Sequence, residues 1–383
     1  MGPDALMSLA TPDDGTGDPD GILGAVASAV GSPTPVWLNP RGPVLVPTLA
    51  DARAVLKDVR RFPIPFDASR RPLAGMGADQ PEGRPDKHTP ALTSDAVAVG
   101  RGVFVAELAA VWPDAPLGLD EITVHPLDLL RTPVSRSTTA ALVPAAGQAT
   151  RDHIAMLTLT WVDALAPVIS AARPPRRWSV DRRREQRALR DLRAALAEVG
   201  VSASSAMATA LAAGVQVPIA AGAWVLQQLA AHPDVAAAAG ADPRLRTAIV
   251  WETLRLYPPT WLLPRISVDE SVIGGVTLPA YTPLVVSPRA LGQLGEVAPG
   301  PESGFKPLTD FDPTRWCDDT ARPGAWLPFG AGPHACPGRN LALAQLVHLV
   351  ERGVEQRLRA SGPVRIDASR GLRPSPARVV LGG

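Results

Sequence analysis

The alternation of apolar and polar residues along the chain predicts a protein built mainly from helices. Apolar residues recur at helical spacing in several long segments that are separated by turn-forming residues. The predicted helices lie near residues 49–59, 97–112, 125–146, 150–166, 181–199, 201–231 and 246–260, with a last one directly after Gly338.

A small β region is predicted beside these helices. Two short strands precede the 49–59 helix, others flank a Gly-Gly turn within 264–288, and terminal strands occupy 363–381. Residues 67–91 are rich in Pro, Gly, Arg and Asp and are predicted to form a loop. Residues 1–20 are acidic and polar and are predicted to be disordered, so one folded domain is expected over residues 21–383.

Composition narrows the classes of function. Hydrophobic residues make up 46% of the 383 residues, which is ample for a sizeable core. The net charge of +1 gives no electrostatic reason to expect nucleic acid or an anionic membrane as a partner. A dense basic run at 172–193 is interpreted as a solvated helix face with i,i+4 charge pairs.

The cysteine count and the first residues bear on location. Two cysteines cannot form a disulfide framework, which is typical of proteins in reducing compartments. The first twenty residues contain neither a signal sequence nor an apolar anchor. We therefore expect a cytoplasmic protein that does not associate with membranes.

Cys336 lies between a loop rich in Gly and Pro and a predicted helix. Gly330, Gly332 and Gly338 allow that loop to turn tightly and to lie close to a flat ligand. A thiolate at this place would be favoured by backbone N–H groups and by the positive end of the helix. One thiolate on a rigid loop suits haem iron better than a zinc or iron–sulfur site with several cysteines.

The same loop resembles the haem-binding signature of the cytochromes P-450. Phe329, Gly332, Cys336 and Gly338 match F-x-x-G-x-x-x-C-x-G. The resemblance implies that Cys336 is the axial ligand of the iron in haem b and that Phe329, Gly330 and Gly338 adjoin the cofactor. The alternative is a buried structural cysteine in a glycine-rich loop.

Two further motifs follow in the order that this family has. ETLRLYPP, which begins at Glu252, places Glu252 and Arg255 on one face of a helix. Arg315 in FDPTRW resembles the arginine that joins this pair. The resemblance implies a buried structural cluster of the three residues behind the cysteine loop, and it extends from about residue 36 to the C-terminus.

The 201–231 segment resembles the long helix that crosses the distal face of the haem. Counting back from its His-Pro end places Gly214, Gln216 and Val217 on the family's A-G-x-D/E-T segment. Gln216 and Val217 then replace the acid and the alcohol, so these candidate catalytic positions lack the usual proton-delivery pair. Pro218 follows and is expected to kink the helix.

The resemblance also implies partners for the haem propionates. Arg265 matches a strand arginine with this role, and His334 lies two residues before the cysteine, where the family has a histidine or arginine. Arg136 is the candidate on the preceding helix, with Arg131 as its alternative. A complete H-x-x-x-R pattern is missing there.

Taken together, the resemblance implies a mainly α, single-domain, triangular fold with a small β region, and an oxidising enzyme. The thiolate-ligated haem would favour O–O cleavage and hydrogen abstraction by a ferryl oxidant. The expected substrate is a small organic molecule, such as a secondary-metabolite intermediate. The expected electron donors are a ferredoxin and its reductase.

Two other functions stay open. One is an atypical enzyme of this family that uses peroxide or protons supplied by the substrate, or that catalyses cyclisation, coupling or desaturation. The other is a haem sensor without enzymatic activity.

Overall fold

A computed structural model describes residues 21–40, 42–65, 90–112, 122–171, 175–176, 178–318 and 322–381. The predicted disorder of residues 1–20 and most of the predicted loop at 67–91 lie outside the described residues.

The described residues form twelve α-helices, most of them where the sequence predicts helices. They are α1 Gly21–Ser28, α2 Leu49–Lys57, α3 Ser94–Val111, α4 Pro126–Leu129, α5 Arg131–Leu142, α6 Gln148–Ile169, α7 Val180–Glu198, α8 Ser204–Ala231, α9 Pro233–Ala241, α10 Pro243–Leu256, α11 Pro288–Leu291 and α12 Arg339–Glu355. Short 3-10 helices occupy Pro301–Ser303, Pro313–Trp316 and Gly332–His334.

Eleven short strands in the described part form the β region. They are β1 Val36–Trp37, β2 Val44–Leu45, β3 Ile122–Val124, β4 Leu263–Ile266, β5 Ser271–Ile273, β6 Val276–Leu278, β7 Pro283–Val286, β8 Arg359–Ala360, β9 Arg365–Asp367, β10 Arg373–Ser375 and β11 Val379–Leu381. The largest sheet has the order β1-β2-β7-β4, in which only β2 and β7 pair in parallel. The β5–β6 hairpin turns at Gly274 and Gly275, whose φ angles of 52° and 74° match the predicted Gly-Gly turn.

Helix α8 runs through the centre of the fold and packs against α5, α6, α7, α10 and α12. Every residue from 218 to 230 is buried. By length and composition alone, α6 and α8 could each span a membrane. Burial in the core accounts for the apolar composition of α8. The fold is therefore mainly helical with small sheets, as the sequence predicts.

Pro218 does not interrupt α8, which runs unbroken from Ser204 to Ala231. Proline has no N–H, so the carbonyl of Gly214, four residues earlier, loses its helical hydrogen bond. The Thr138 hydroxyl of α5 donates to that carbonyl at 2.9 Å and replaces the missing donor. The absence of a side chain at Gly214 permits this approach, because a Cβ there would lie 2.8 Å from Thr138 Cγ2.

Replacing Gly214 with alanine is expected to destabilise the fold at this crossing. Alanine is more favourable than glycine inside a helix by about 1 kcal/mol. Gly102→Ala on α3 is the matched control, because a Cβ at Gly102 would contact nothing within 4 Å and only the helix preference should change. The clash with Thr138 should lower the free energy of unfolding of Gly214→Ala by about 1–3 kcal/mol relative to Gly102→Ala. Denaturant unfolding of both variants measures the difference. Equal values would show that α5 and α8 separate without cost.

Candidate haem-thiolate site

The cysteine loop is folded tightly around Cys336. The Cys336 amide donates to the Phe329 carbonyl at 2.8 Å, and α12 begins directly after Gly338. Gly332 has a φ of 68°, and a Cβ at this residue would lie 2.7 Å from the Leu56 carbonyl oxygen. Only glycine meets both requirements, so the loop is held against the end of α2.

The Cys336 side chain reaches solvent on one side of the loop. Burial on its other sides raises the pKa of the thiol, whereas a hydrogen bond from the Gly338 amide and the charge of Arg339 lower it. The sequence-based expectation of an already favoured thiolate is therefore only partly met. The Gly338 amide donates to the sulfur as expected, but burial raises the pKa of the thiol by more than this hydrogen bond lowers it. A bound cation deprotonates a coordinating thiol by itself.

Phe329 of the loop forms an aromatic cluster with two tryptophans, a contact that the sequence analysis missed. Trp251 lies edge-on to Phe329, with ring centroids 6.1 Å apart, and edge-on to Trp326 at 5.9 Å. Trp326 is fully buried. Edge-to-face packing of this kind holds large rings in fixed orientations. The nine tryptophans of the chain were the available signal, but their spacing does not reveal which of them meet.

The structure brings Glu252, Arg255 and Arg315 together, each with a fully buried side chain. Arg255 donates to both oxygens of Glu252 at 2.8 and 2.7 Å, and Arg315 Nε donates to Oε1 at 3.2 Å. The indole of Trp316 adds a donor at 2.8 Å, and the Asp312 amide adds one at 3.0 Å. Both guanidinium groups also donate to backbone carbonyls of the 292–310 region. The cluster fastens that region to α10.

Arg315→Ala is expected to lower the free energy of unfolding by about 3–5 kcal/mol, because it leaves a buried carboxylate undercompensated. Little haem-loaded soluble protein should result, since domains are marginally stable. Arg131→Ala is the matched control, because Arg131 pairs with Asp163 at 2.6 Å with both side chains partly exposed. That change should cost about 1 kcal/mol or less. Equal stability of the two variants would contradict a structural role for the cluster.

The candidate catalytic positions of α8 divide between two faces. Gln216 and Val217 line a cavity of about 270 Å³, together with Ala220. Gly214 instead faces Thr138 on α5. The structure therefore assigns Gly214 to helix packing and leaves Gln216 and Val217 at the cavity.

Arg265 fits the expected haem propionate. It is 4% exposed on β4, and its Nη1 donates only to the adjacent Pro264 carbonyl at 2.7 Å. Its Nε is buried without a partner, and no carboxylate of the described residues forms an ion pair with it. Burial lowers the pKa of the guanidinium to about 10. A buried cation without a counter-charge suits the anionic edge of a haem. His334 lies exposed in the loop, two residues before Cys336.

Arg136, the expected propionate partner on α5, is paired with two acids of neighbouring helices. Its Nη1 lies 2.9 Å from Glu107, and its Nε lies 3.3 Å from Asp152. The alternative, Arg131, is engaged by Asp163. Both arginines lie on α5, whose neighbours α3 and α6 supply these acids. The sequence does not reveal ion pairs between helices, so these partners of Arg136 and Arg131 could not be predicted from it.

Comparisons with known proteins agree with this fold. The family model for cytochrome P-450 matches residues 244–355, which include the buried cluster and Cys336. The cyclooctat-9-en-7-ol 5-monooxygenase of Streptomyces melanosporofaciens is 36% identical over 162 residues, or 37% of this chain and 34% of the relative. Pentalenene oxygenase of Streptomyces avermitilis is 29% identical over 34% of this chain and 32% of its own length. The matched part thus spans about a third of these relatives.

Solved structures extend the likeness of the fold over nearly the whole chain. The open cytochrome P-450 EryK of S. erythraea has a TM-score of 0.70 at 18% identity, covering 96% of this chain and 97% of its own. A six-coordinated cytochrome P-450 of Thermus thermophilus has a TM-score of 0.68 at 22% identity, covering 94% and 98%.

The fold is that of the cytochromes P-450, and residues 244–355, which carry the cysteine loop, are similar to that family. The two relatives described above come from bacteria of the genus Streptomyces. The family's cofactor is haem, for which Cys336 and Arg265 are the candidate partners in this chain.

Proposed function

We propose that this protein is a haem-thiolate oxidoreductase that oxidises a small organic molecule in a biosynthetic pathway. The observation that carries the proposal is the open Cys336 thiol on its glycine loop, directly before α12. The family match across this loop supports it. Haem b, when bound, would supply the activation of dioxygen or peroxide.

Each residue of the site has a proposed task. Cys336 would ligate the iron, with the Gly338 amide as a hydrogen-bond donor to its sulfur. Arg265 and His334 would pair with the propionates. Phe329, in contact with Trp251, would hold the loop in position.

The names of the relatives support a biosynthetic substrate. Cyclooctat-9-en-7-ol 5-monooxygenase and pentalenene oxygenase are named for small, mainly hydrocarbon molecules. A substrate with a largely apolar body would suit the cavity, because Val217, Ala220 and Trp261 give it an apolar lining. Ferredoxin and a ferredoxin reductase are the proposed electron donors, and the cytoplasm is the proposed location.

A second candidate function rests on a separate observation. The resemblance assigns Gln216 and Val217 to the positions of the acid and the alcohol, and both residues line the cavity. An amide orients water but has no proton to give at neutral pH. This favours an enzyme that takes its protons from the substrate or uses peroxide.

The proposal is tested on the purified, haem-loaded protein. One haem per chain and a red-shifted Soret band of the reduced carbon monoxide complex are expected. Small molecules that displace iron-bound water should then shift the spectrum of the oxidised protein. A carbon monoxide band without the red shift in folded protein would contradict thiolate ligation. A screen in which no small molecule shifts the spectrum would favour a haem sensor without enzymatic activity.

A further inference from the structure

One cationic side chain, that of Arg370, borders the cavity beside α8 and is also exposed to solvent. Its lining is contributed by α8, by the segment before β4, and by the turn between β9 and β10. The lining residues are Gln216, Val217, Ala220, Pro259, Thr260, Trp261, Leu262, Arg370 and Gly371. Arg370 is the ionisable member of this set, so it is the lining residue that can form an ion pair with a charged ligand.

The turn that carries Arg370 is fixed in place. Gly371 has a φ of 89°, and a Cβ there would lie 2.5 Å from the Pro259 carbonyl oxygen. The Leu372 amide donates to that carbonyl at 3.2 Å, and the Trp224 indole of α8 donates to the Leu372 carbonyl at 3.2 Å. The backbone beside Arg370 is therefore held by α8 and by the segment at Pro259. Less conformational entropy is then lost when this turn is ordered around a ligand.

The nearby acids are already engaged by other arginines. Asp367 pairs with Arg373, and Asp163 pairs with Arg131 at 2.6 Å. Arg131 and Arg373 each neutralise one aspartate, so Arg370 is left with an unbalanced positive charge in this group. Within the described part of the chain the Arg370 guanidinium forms no hydrogen bond and no ion pair.

The electrostatic surroundings agree with this unbalanced charge. Burial and then repulsion from Arg373 lower the pKa of Arg370, and attraction from Asp367 and Asp163 only partly opposes them. The guanidinium still carries its charge at neutral pH. An added anion would offset the repulsion from Arg373.

We propose that Arg370 determines substrate specificity by pairing with a carboxylate of the substrate, whose apolar body lies along Val217 and Trp261. The inference rests on the proposed function and names its substrate class, a small amphipathic acid. A planar guanidinium matches a carboxylate in two parallel hydrogen bonds. A carboxylate held here would also face the helix that lacks an acid of its own.

The test compares three probes of equal chain length on haem-loaded protein at pH 8. Decanoate, decanol and decyltrimethylammonium are titrated by calorimetry and by the Soret shift. Decanoate is expected to bind about tenfold more tightly than decanol, the effect of one well-formed ion pair. Arg370→Ala should remove this preference by weakening decanoate alone. Arg370→Lys should keep part of it, and Arg370→Glu should favour the ammonium probe.

Arg365→Ala is the matched control, because Arg365 is exposed on the same hairpin but does not line this cavity. It should leave the decanoate preference intact. Equal binding of decanoate and decanol to the unaltered protein, or an unchanged preference in Arg370→Ala, would overturn the proposal. Loss of haem from Arg370→Ala would also overturn it by assigning Arg370 to a propionate. An unshifted carbon monoxide band would instead defeat the proposed function, whereas calorimetry would still report on Arg370.

Discussion

Cys336→Ala is expected to abolish the red-shifted carbon monoxide band completely, and Cys317→Ala is expected to leave it intact. Cys336 lies on the glycine loop with an open side. Cys317 follows the Pro313–Trp316 3-10 helix, away from that loop in sequence, and burial raises the pKa of its thiol. The two cysteines of the chain therefore form a matched pair for the test. Absorption spectra of the reduced carbon monoxide complexes measure the result.

Cys336→His separates ligation from folding. A histidine ligand should retain haem but give a band at the position typical of imidazole ligation. A red-shifted band that survives in Cys336→Ala would refute Cys336 as the ligand. If the band is instead lost from Cys317→Ala, the assignment passes to Cys317.

Much of the fold could be predicted because it depends on local sequence. The 3.6-residue spacing of apolar positions indicated the long helices, and Gly274 with Gly275 indicated a hairpin turn. Glu252 and Arg255 are three residues apart, so a helix alone brings them together. Their junction with Arg315, 63 residues later, could be inferred only from the resemblance to a known family.

The sequence could not reveal contacts between distant segments. Arg136 pairs with Glu107 and Asp152, which come from two other helices, and nothing local shows that these side chains converge. The haem propionate role of Arg136 stays a prediction. Likewise, the sequence does not reveal that Thr138 of another helix donates to the Gly214 carbonyl, which Pro218 leaves without its helical donor. The kink expected at Pro218 stays a prediction. The pairing of a side chain depends on the packing of whole elements, which residue spacing along one element does not encode.

Product formation is expected to depend on a polar group of the substrate, or else to proceed with peroxide and without a reductase. Inserting one atom of dioxygen and reducing the other to water consumes two protons. Positioned acid–base groups usually accelerate such transfers by about 10²–10⁴-fold. Gln216 cannot supply a proton at neutral pH, and Val217 has no polar atom. Hydrogen peroxide already carries both protons, so it removes the requirement.

The measurement pairs the first identified substrate with an analogue that lacks its hydroxyl, amine or carboxylate. With electrons from ferredoxin, the analogue should form product about 10²–10⁴-fold more slowly, and electrons should be lost to uncoupled reduction of dioxygen. Peroxide should narrow this difference in rate between the substrate and the analogue.

The double variant Gln216→Glu, Val217→Thr restores an acid and an alcohol, so it should recover part of the electron-driven rate with the analogue only. Tight coupling of electrons to product with the analogue in the unaltered protein, together with no peroxide activity, would refute the prediction. Another residue would then deliver the protons, or the assignment of Gln216 and Val217 to these positions of α8 would be wrong.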